Sequence, residues 1–235
     1  MVGKSSPEAP QRQLWEMNDV WDALTFEEKE FVNRNVEICH YKKNDIIHHE
    51  GDYPTHVMML GSGKLRVYKE GVGQKPQIIR MLKPNDFFAY RAMIADENYN
   101  TNVSAFENSI VYKVRRDIFM QLIQQNPKFC YLFMIVMAKD LGRSDEKVVN
   151  LTQKHIRGRL ADALLNLKQN YGLDEDGATI SMYMSREDLA NLSNMTTANA
   201  IRTLSQFAQE GVIAIDGRKI KILDEPALAK ISRVG

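Results

Sequence analysis

A group of short side chains surrounds one arginine at helical spacing near the end of the chain: Thr197, Ala198, Ile201, Arg202 and Ser205. An arginine can fork onto the O6 and N7 atoms of guanine, and the methyl groups of Ala, Thr or Ile can contact the methyl of thymine. Thr196, directly before the group, has a side-chain oxygen suited to capping a helix. The spacing therefore predicts a helix with one face that reads base edges in a DNA major groove.

A second helix is predicted to hold this reading helix in place. Ser185, followed three residues later by Asp188, forms a capping box that opens a helix. Asn194 favours the left-handed backbone that ends that helix in a tight turn. Apolar residues then recur on the inner face of the second helix, so the two helices would pack together as a helix-turn-helix.

A hairpin is predicted directly after the helix pair. Gly211 ends the second helix, and two β-rich runs follow at 212–215 and 219–222, with Asp216-Gly217 as the turn between them. A hairpin in this place is the wing of a winged helix-turn-helix, whereas a pair of helices and a hairpin used only for packing is the alternative. The predicted DNA-binding residues are Ser185, Arg186, Thr196, Thr197, Ala198, Ile201, Arg202, Arg218 and Lys219.

Composition indicates two domains and no catalytic site. The chain has 235 residues, 44% of them hydrophobic, and a net charge of +1, so bulk charge neither supports nor excludes a nucleic-acid partner. Because no apolar run is long enough to span a bilayer and no signal peptide is recognisable, we expect a cytoplasmic protein without a membrane partner. Cys39 and Cys130 fit a reducing compartment, and no metal-ligand spacing, nucleophile motif or carboxylate pair predicts an enzyme or a metal site.

The first half of the chain consists of short β-rich runs. These runs are predicted at 36–41, 45–48, 56–60, 64–69, 77–82 and 109–114. Turns such as Gly61-Ser62-Gly63 and Gly71-Val72-Gly73 separate them. Strands at this spacing predict a barrel or a jelly-roll-like sandwich.

A long helix is predicted to begin at Pro127 and to join the two domains. Its apolar positions follow one another by steps of three and four and form a heptad seam: Met134, Met137, Leu141, Ser144, Val148 and Leu151. The seam predicts that the helix pairs with a second copy of itself. Burial of the same helix in the core of one monomer is the alternative.

The order of these parts resembles the CRP/FNR family of bacterial transcription regulators, from about Val20 to the end of the chain. The matching stretches are GD at 51–52, LGSGKL at 60–65, NDFF at 85–88, DEKVVNL at 145–151, GRLADALLNL at 158–167 and the helix-turn-helix. The resemblance implies an α+β chain with an N-terminal double-stranded β-helix (jelly-roll-like) domain, a long dimerisation helix and a C-terminal winged helix-turn-helix domain. The expected divisions are a flexible tail at 1–19, an effector-sensing β-roll at 20–126, the dimerisation helix at 127–151 and the DNA-binding domain at 152–235.

The resemblance also implies an effector pocket in the β-roll, and the pocket residues depart from the family pattern. Members that bind cyclic AMP hold the ribose with a Glu and the cyclic phosphate with an Arg-Ser pair, but Tyr90 and Asn100 stand at the Glu and Arg positions here. Arg91 would point away from the pocket if the segment were extended. This pattern argues against cyclic AMP in the usual mode. It leaves a small-molecule effector of another kind, haem with ligands among His40, His48, His49, His56 and the twelve methionines, or no effector.

The predicted effector-pocket residues are Phe88, Tyr90, Arg91, Asn100, Thr101, Asn102, Ser144 and Asp145. The sequence thus predicts a homodimeric regulator that binds double-stranded DNA at a pseudo-palindromic operator, with RNA polymerase as a further partner if it activates transcription. The alternative is a ligand-binding regulatory module that acts through a protein partner.

Overall fold

The computed structural model describes residues 19–71 and 75–234, so the predicted tail, except for Asp19, and part of the predicted turn at 71–73 lie outside the described residues. The strands are β1 (Val36–Tyr41), β2 (Ile46–His48), β3 (His56–Ser62), β4 (Leu65–Glu70), β5 (Pro76–Leu82), β6 (Phe87–Phe88), β7 (Asn102–Ala105), β8 (Ser109–Arg115), β9 (Ile213–Asp216) and β10 (Lys219–Ile222). The helices are α1 (Phe26–Asn35), α2 (Tyr90–Ala95), α3 (Arg116–Gln125), α4 (Pro127–Gln153), α5 (Ile156–Tyr171), α6 (Arg186–Leu192), α7 (Thr197–Gln209) and α8 (Glu225–Val234), with a short 3-10 helix at Trp21–Ala23.

The N-terminal strands form two four-stranded sheets with the orders β1-β8-β3-β6 and β2-β7-β4-β5. In the first sheet β1 runs antiparallel to β8, from Val36 opposite Val114 to Tyr41 opposite Ser109. β3 is antiparallel to both β8 and β6, with a bulge between Leu60 and Ser62. Strands far apart in the chain are therefore neighbours, as in the predicted double-stranded β-helix, and the α+β fold class is confirmed.

The described residues form two compact units. The first consists of Met1–Leu65, Pro84–Asn100 and Ser104–Lys139, and the second of Arg66–Lys83, Thr101–Val103 and Asp140–Gly235.

An aromatic cluster forms the core of the first unit. Phe119, Phe129 and Phe133, from α3 and the beginning of α4, are fully buried, and the ring centroids of Phe119 and Phe133 lie 4.9 Å apart. The ring centroid of Trp21 lies 5.6 Å from that of Phe129 and 5.5 Å from that of Phe87. Large rings bury much apolar surface, so this cluster attaches the first part of α4 to the sheet.

The sequence did not predict β6, β7, α2, α8 or the 3-10 helix, and the segment that contains Arg91 is helical and not extended. β6, β7 and α2 escaped prediction because they are short and lack the alternation or the caps that identify longer elements. α2 lies between two non-glycine residues with a left-handed backbone, Ala89 at φ +66° and Asp96 at φ +56°. Since the segment that contains Arg91 is helical, the expected two-residue alternation does not apply to it.

Candidate nucleic-acid interface

The first helix of the predicted helix-turn-helix, α6, begins and ends where the sequence indicates. Ser185 is its N-cap, and the hydroxyl oxygen accepts a hydrogen bond from the backbone N–H of Asp188 at 3.0 Å. Asn194 adopts the left-handed backbone, with φ of +53°. The chain therefore turns sharply out of α6 and into α7, as predicted.

The second helix, α7, packs its apolar face inward. Thr196 caps it by accepting from the backbone N–H of Asn199 at 3.2 Å. Ala200, Leu204 and Phe207 are at most 1% exposed. Burial of this stripe fixes which face of α7 is turned outward.

The outward face of α7 carries the predicted reading residues. All of the following are exposed: Thr196, Thr197, Ala198, Ile201, Arg202 and Ser205. Arg202 donates a hydrogen bond from Nη2 to Oδ1 of Asn199 at 2.6 Å. Asn199 was missing from the predicted set, although its place one helical turn before Arg202 was a usable signal. Because a guanidinium has five N–H donors, Arg202 keeps others for a base while Asn199 orients it.

The wing is present, but its turn differs from the prediction by one residue. β9 and β10 are antiparallel with Asp216 opposite Lys219, so the two loop residues are Gly217 and Arg218 and not Asp216-Gly217. Gly217 has φ of +56°, a conformation that glycine adopts without strain. Arg218 and Lys219 are exposed at the end of the hairpin.

Arg186 joins the wing to the first helix. Its Nη2 donates to the backbone carbonyl of Gly217 at 2.7 Å. Lys219 places Nζ 5.6 Å from the centre of the Tyr183 ring. Two of the predicted DNA-binding cations therefore make contacts within the protein that hold the wing, and Arg218 is exposed in the loop of the hairpin.

Strand β5 also belongs to the second unit, where it contacts the helices α6 and α4. Gln77 donates from Nε2 to the carbonyl of Asn191 in α6 at 2.6 Å. Lys147 of α4 donates from Nζ to the carbonyl of Ile78 at 3.1 Å. Burial of this ammonium group lowers the pKa of Lys147 to about 8.

The predicted seam of α4 is only partly covered within one chain. Met134, Leu141 and Val148, seven residues apart, are 48%, 64% and 61% exposed. Met137 packs against the core of the first unit, and Leu151 is half-buried. Ser144 is exposed and donates its hydroxyl to the carbonyl of Asp140 in the preceding turn at 3.0 Å. The structure thus leaves an apolar stripe on α4 without a partner in the described part of the chain.

The predicted effector-pocket residues are divided between the two units. Phe88 and Tyr90 are buried in the first unit, where the Tyr90 ring lies edge-on against Phe133 with centroids 5.3 Å apart. Arg91 is exposed and forms an ion pair with Glu97 at 2.8 Å, and Asn100 is exposed. Thr101, Asn102, Ser144 and Asp145 belong to the second unit; Asn102 is buried, Thr101 is half-buried, and the other two are exposed.

A surface cavity of about 590 Å³ lies elsewhere in the first unit, and none of the predicted pocket residues lines it. Its lining residues are Glu37, Tyr53, Pro54, Thr55, His56, Arg115, Arg116, Asp117 and Met120. Arg116 pairs with Asp96 at 2.7 Å, and the hydrogen bonds from Arg116 and Tyr53 hold the pKa of the Asp96 carboxyl below its usual range. This cavity is therefore a feature that the sequence reasoning missed.

The histidines considered as haem ligands occupy unrelated environments. His40 and His49 are exposed, and His56 lies 3.5 Å from a carboxylate oxygen of Glu37. His48 is buried and stacks on Tyr99 with ring centroids 3.8 Å apart. Among the residues that the structure describes, no group of three or more His, Cys, Asp or Glu side chains could hold a metal ion.

Comparison with known proteins agrees with this arrangement. The cyclic nucleotide-binding domain model matches residues 38–126, and the Crp-like helix-turn-helix domain model matches residues 158–231. This chain belongs to the CRP/FNR family of transcription regulators. Its β-roll and its helix-turn-helix are accordingly a cyclic nucleotide-binding-like domain and a DNA-binding domain.

Individual relatives are distant but extend over most of the chain. A CRP-like cAMP-activated global transcriptional regulator of Mycobacterium tuberculosis is 21% identical over 86% of this chain and 91% of its own length. The transcriptional regulatory protein btr of Bordetella pertussis is 28% identical over 72% of this chain and 70% of its own length. FixK2 from Bradyrhizobium japonicum has the same fold, with a TM-score of 0.76 at 20% identity over 85% of this chain and 98% of FixK2. In the described residues, no helix is long and apolar enough to cross a membrane.

Proposed function

We propose that this chain acts as a homodimer that reads a pseudo-palindromic operator through α7 of each copy, controlled by an effector other than cyclic AMP in its usual mode. The observation that carries the proposal is the outward face of α7, on which short side chains surround Arg202. Membership of the CRP/FNR family supports DNA as the partner. The cytoplasmic location expected from the sequence stays a prediction.

The chemistry of the interface divides into base contacts and phosphate contacts. Arg202 would recognise a guanine, and Thr197, Ala198 and Ile201 would contact neighbouring bases through their methyl groups. Arg218 and Lys219 on the wing would contact phosphates, which position the protein and carry no sequence information. We therefore expect affinity to fall steeply as salt rises.

The exposed stripe on α4 supports the proposed dimerisation. Met134, Leu141 and Val148 recur every seven residues on one side of the helix. Apolar side chains at this spacing pack well against a second copy of the same helix. Two copies joined along α4 would present two recognition helices, which read half-sites about 34 Å apart when the operator is contacted on one side of the duplex.

In its predicted effector pocket, this chain differs from the family members that bind cyclic AMP. Arg91 is the single cation among the eight predicted pocket residues, and its guanidinium is already paired with Glu97. The buried Tyr90 ring and the uncharged Asn100 offer no charge to a cyclic phosphate. The relative from Mycobacterium tuberculosis is named as cAMP-activated, and we propose that this chain differs from it in that respect.

The test begins with selection of operators from random duplexes by the wild-type protein. Affinities of Arg202→Ala and of Ser205→Ala, a control on the same face, are then measured by fluorescence anisotropy for the selected operator and for each single base-pair change. Loss of the bidentate contact should remove about 1–3 kcal/mol of discrimination at one base pair of each half-site. Unchanged discrimination in Arg202→Ala, with the same pattern as Ser205→Ala, contradicts the assignment.

The same selection discriminates the alternative function. A module that acts through a protein partner would enrich no duplex, while a regulator that reads an operator enriches a pseudo-palindrome. If the selected operator supports transcription by purified RNA polymerase only when the protein is present, the polymerase is a partner as well.

A further inference from the structure

One arginine connects the end of the long helix to the turn of the helix-turn-helix. Arg159 lies in the first turn of α5. Its Nη1 donates to the carbonyl of Lys154 at 3.1 Å, while its Nε donates to Ser193 and its Nη2 to Asn194, at 3.1 and 3.0 Å. A single planar group thus holds two stretches of backbone that are about forty residues apart in the chain.

Each of the three carbonyls belongs to a place where a helix ends. Lys154 follows the last residue of α4, and Ser193 is the C-cap of α6, with Asn194 in the left-handed turn after it. Carbonyls at helix C-termini lack helical partners and carry a partial negative charge. A guanidinium satisfies both needs, which explains why an arginine occupies this position.

The junction that Arg159 spans is short, and a few side chains restrain it. Lys154 and His155 are the two residues between α4 and α5. Lys154 is also held by its side chain, since Nζ pairs with Oδ1 of Asp162 at 2.9 Å. These contacts restrain the few backbone dihedrals through which α5, α6 and α7 could turn relative to the end of α4.

We infer that Arg159 is a positioning residue that fixes the direction of α7 relative to the end of α4 and so sets the half-site spacing that the dimer accepts. The inference rests on the proposed function. In this scheme Arg159 contacts no base and acts only through the three backbone carbonyls to which it donates. One base-pair step separates the half-sites by about 3.4 Å more and rotates one relative to the other by about 35°, so a change in the direction of each recognition helix would change which spacer fits best.

The test compares operators that share both half-sites and differ only in the spacer between them, from two base pairs shorter to two longer than the selected operator. We expect wild-type affinity to fall about tenfold for each step away from the optimum, a loss comparable to that of one good base contact. Arg159→Gln should keep most of its affinity for the best operator and lose this preference. Arg159→Lys should do the same, because an ammonium cannot bond carbonyls in three fixed directions.

The matched control is Arg157→Gln, two residues away on the same helix. Arg157 pairs with Glu210 at 2.7 Å and lies 5.0 Å from the ring of Phe207, so its loss weakens packing of α5 against α7 without freeing the junction. This variant should keep the wild-type spacing profile. The inference would be overturned if Arg159→Gln lost affinity evenly for all spacers, or if Arg157→Gln lost the preference for one spacer as much as Arg159→Gln does. A merely structural role produces either result.

A second measurement does not depend on DNA. Spin labels at Glu146 on α4 and Ser205 on α7, in a cysteine-free background diluted with unlabelled protein, report the distance between the two helices in one chain. We expect a narrow distance distribution in the wild type and in Arg157→Gln, and a broad one in Arg159→Gln and Arg159→Lys. If the wild type selects no operator, the proposed function fails. Equally narrow distance distributions in all variants refute the positioning role whether or not an operator is selected. If Arg159→Gln does not fold, Arg159→Lys decides both the spacer measurement and the distance measurement.

Discussion

Mild acid should destabilise the first unit through His48. The imidazole is 7% exposed and stacks on Tyr99, and neither its Nδ1 nor the Tyr99 hydroxyl has a hydrogen-bond partner in the described residues. Burial lowers the pKa of His48 from 6.5 to about 4, because the charged ring loses its hydration. Burial likewise raises the pKa of Tyr99 to about 12, so both groups are neutral in the folded state near neutral pH.

The sign and size of the effect follow from this shift. The pKa is depressed in the folded state, so the stability from keeping His48 neutral is complete above pH 6.5 and is lost as the pH falls towards 4. The full shift corresponds to about 3 kcal/mol, at about 1.4 kcal/mol per unit. Between about pH 7.5 and about pH 5.5 the expected loss is about 1.4 kcal/mol, a large fraction of a typical unfolding free energy of about 5–15 kcal/mol.

The assay needs a probe of the first unit alone, because two units need not unfold together. Trp21 is buried in that unit, and replacing Trp15 by Phe leaves it as the single tryptophan. Urea unfolding followed by tryptophan fluorescence then gives the unfolding free energy at each pH. His48→Phe removes the titrating group and keeps a ring against Tyr99, and His49→Phe, at the exposed neighbouring histidine, is the matched control.

The informative quantity is the difference between the pH slopes of the variants, because carboxylates also titrate in acid. The unfolding free energies of wild type and His49→Phe should fall with the same slope as the pH falls. The unfolding free energy of His48→Phe should fall by about 1.4 kcal/mol less over the same two pH units. Parallel curves for wild type and His48→Phe would show that His48 is not desolvated in the folded protein and would refute the reasoning.

Two further predictions concern the dimer and the turns of the roll. Leu141→Glu should convert the proposed dimer to monomers in sedimentation experiments, because it places a charge in the α4 seam. Lys139→Glu, on another side of the helix, should leave the dimer intact, and dimers of Leu141→Glu would contradict the seam. Gly63→Ala should cost about 1–3 kcal/mol in urea unfolding, since φ is +84° and the added Cβ would lie 2.4 Å from the carbonyl oxygen of Asn108. Gly51→Ala has a similar φ of +92° but open space around the Cβ, so it should cost less, and equal costs would show that the close approach is unimportant.

The helix-turn-helix could be predicted in detail because its boundaries depend on contacts between near neighbours. The caps at Ser185 and Thr196 each bond an amide three residues on, and the left-handed Asn194 is a property of one residue. Such contacts are readable in a short window of sequence. The residues of the outward face of α7 were predictable for the same reason, since burial of the inner stripe leaves the other side exposed.

Features that depend on distant contacts were predicted less well. The Asp-Gly pair suggested a wing turn at 216–217, but the register places Gly217-Arg218 in the loop, with Ile213 opposite Ile222 and both side chains buried. The observed register places both isoleucines in the interior, and the residues of the turn give no information about that packing. Likewise, the position of Tyr90 in a family motif, which suggested a pocket residue, gave no indication that its ring lies against Phe133 in the aromatic cluster.

The contacts of Arg159 are an example of what the sequence alone does not indicate. In the sequence it is one residue of a stretch that resembles the family, and nothing nearby indicates its partners, because Ser193 and Asn194 lie 34 and 35 residues later. The residues predicted to contact bases are identifiable from local spacing, since one helix face carries them all. The angle at which that face is presented depends on hydrogen bonds between elements remote in sequence. For this reason the face proposed to read a half-site could be predicted from the sequence of α7 alone, whereas the proposed control of half-site spacing depends on the folded junction.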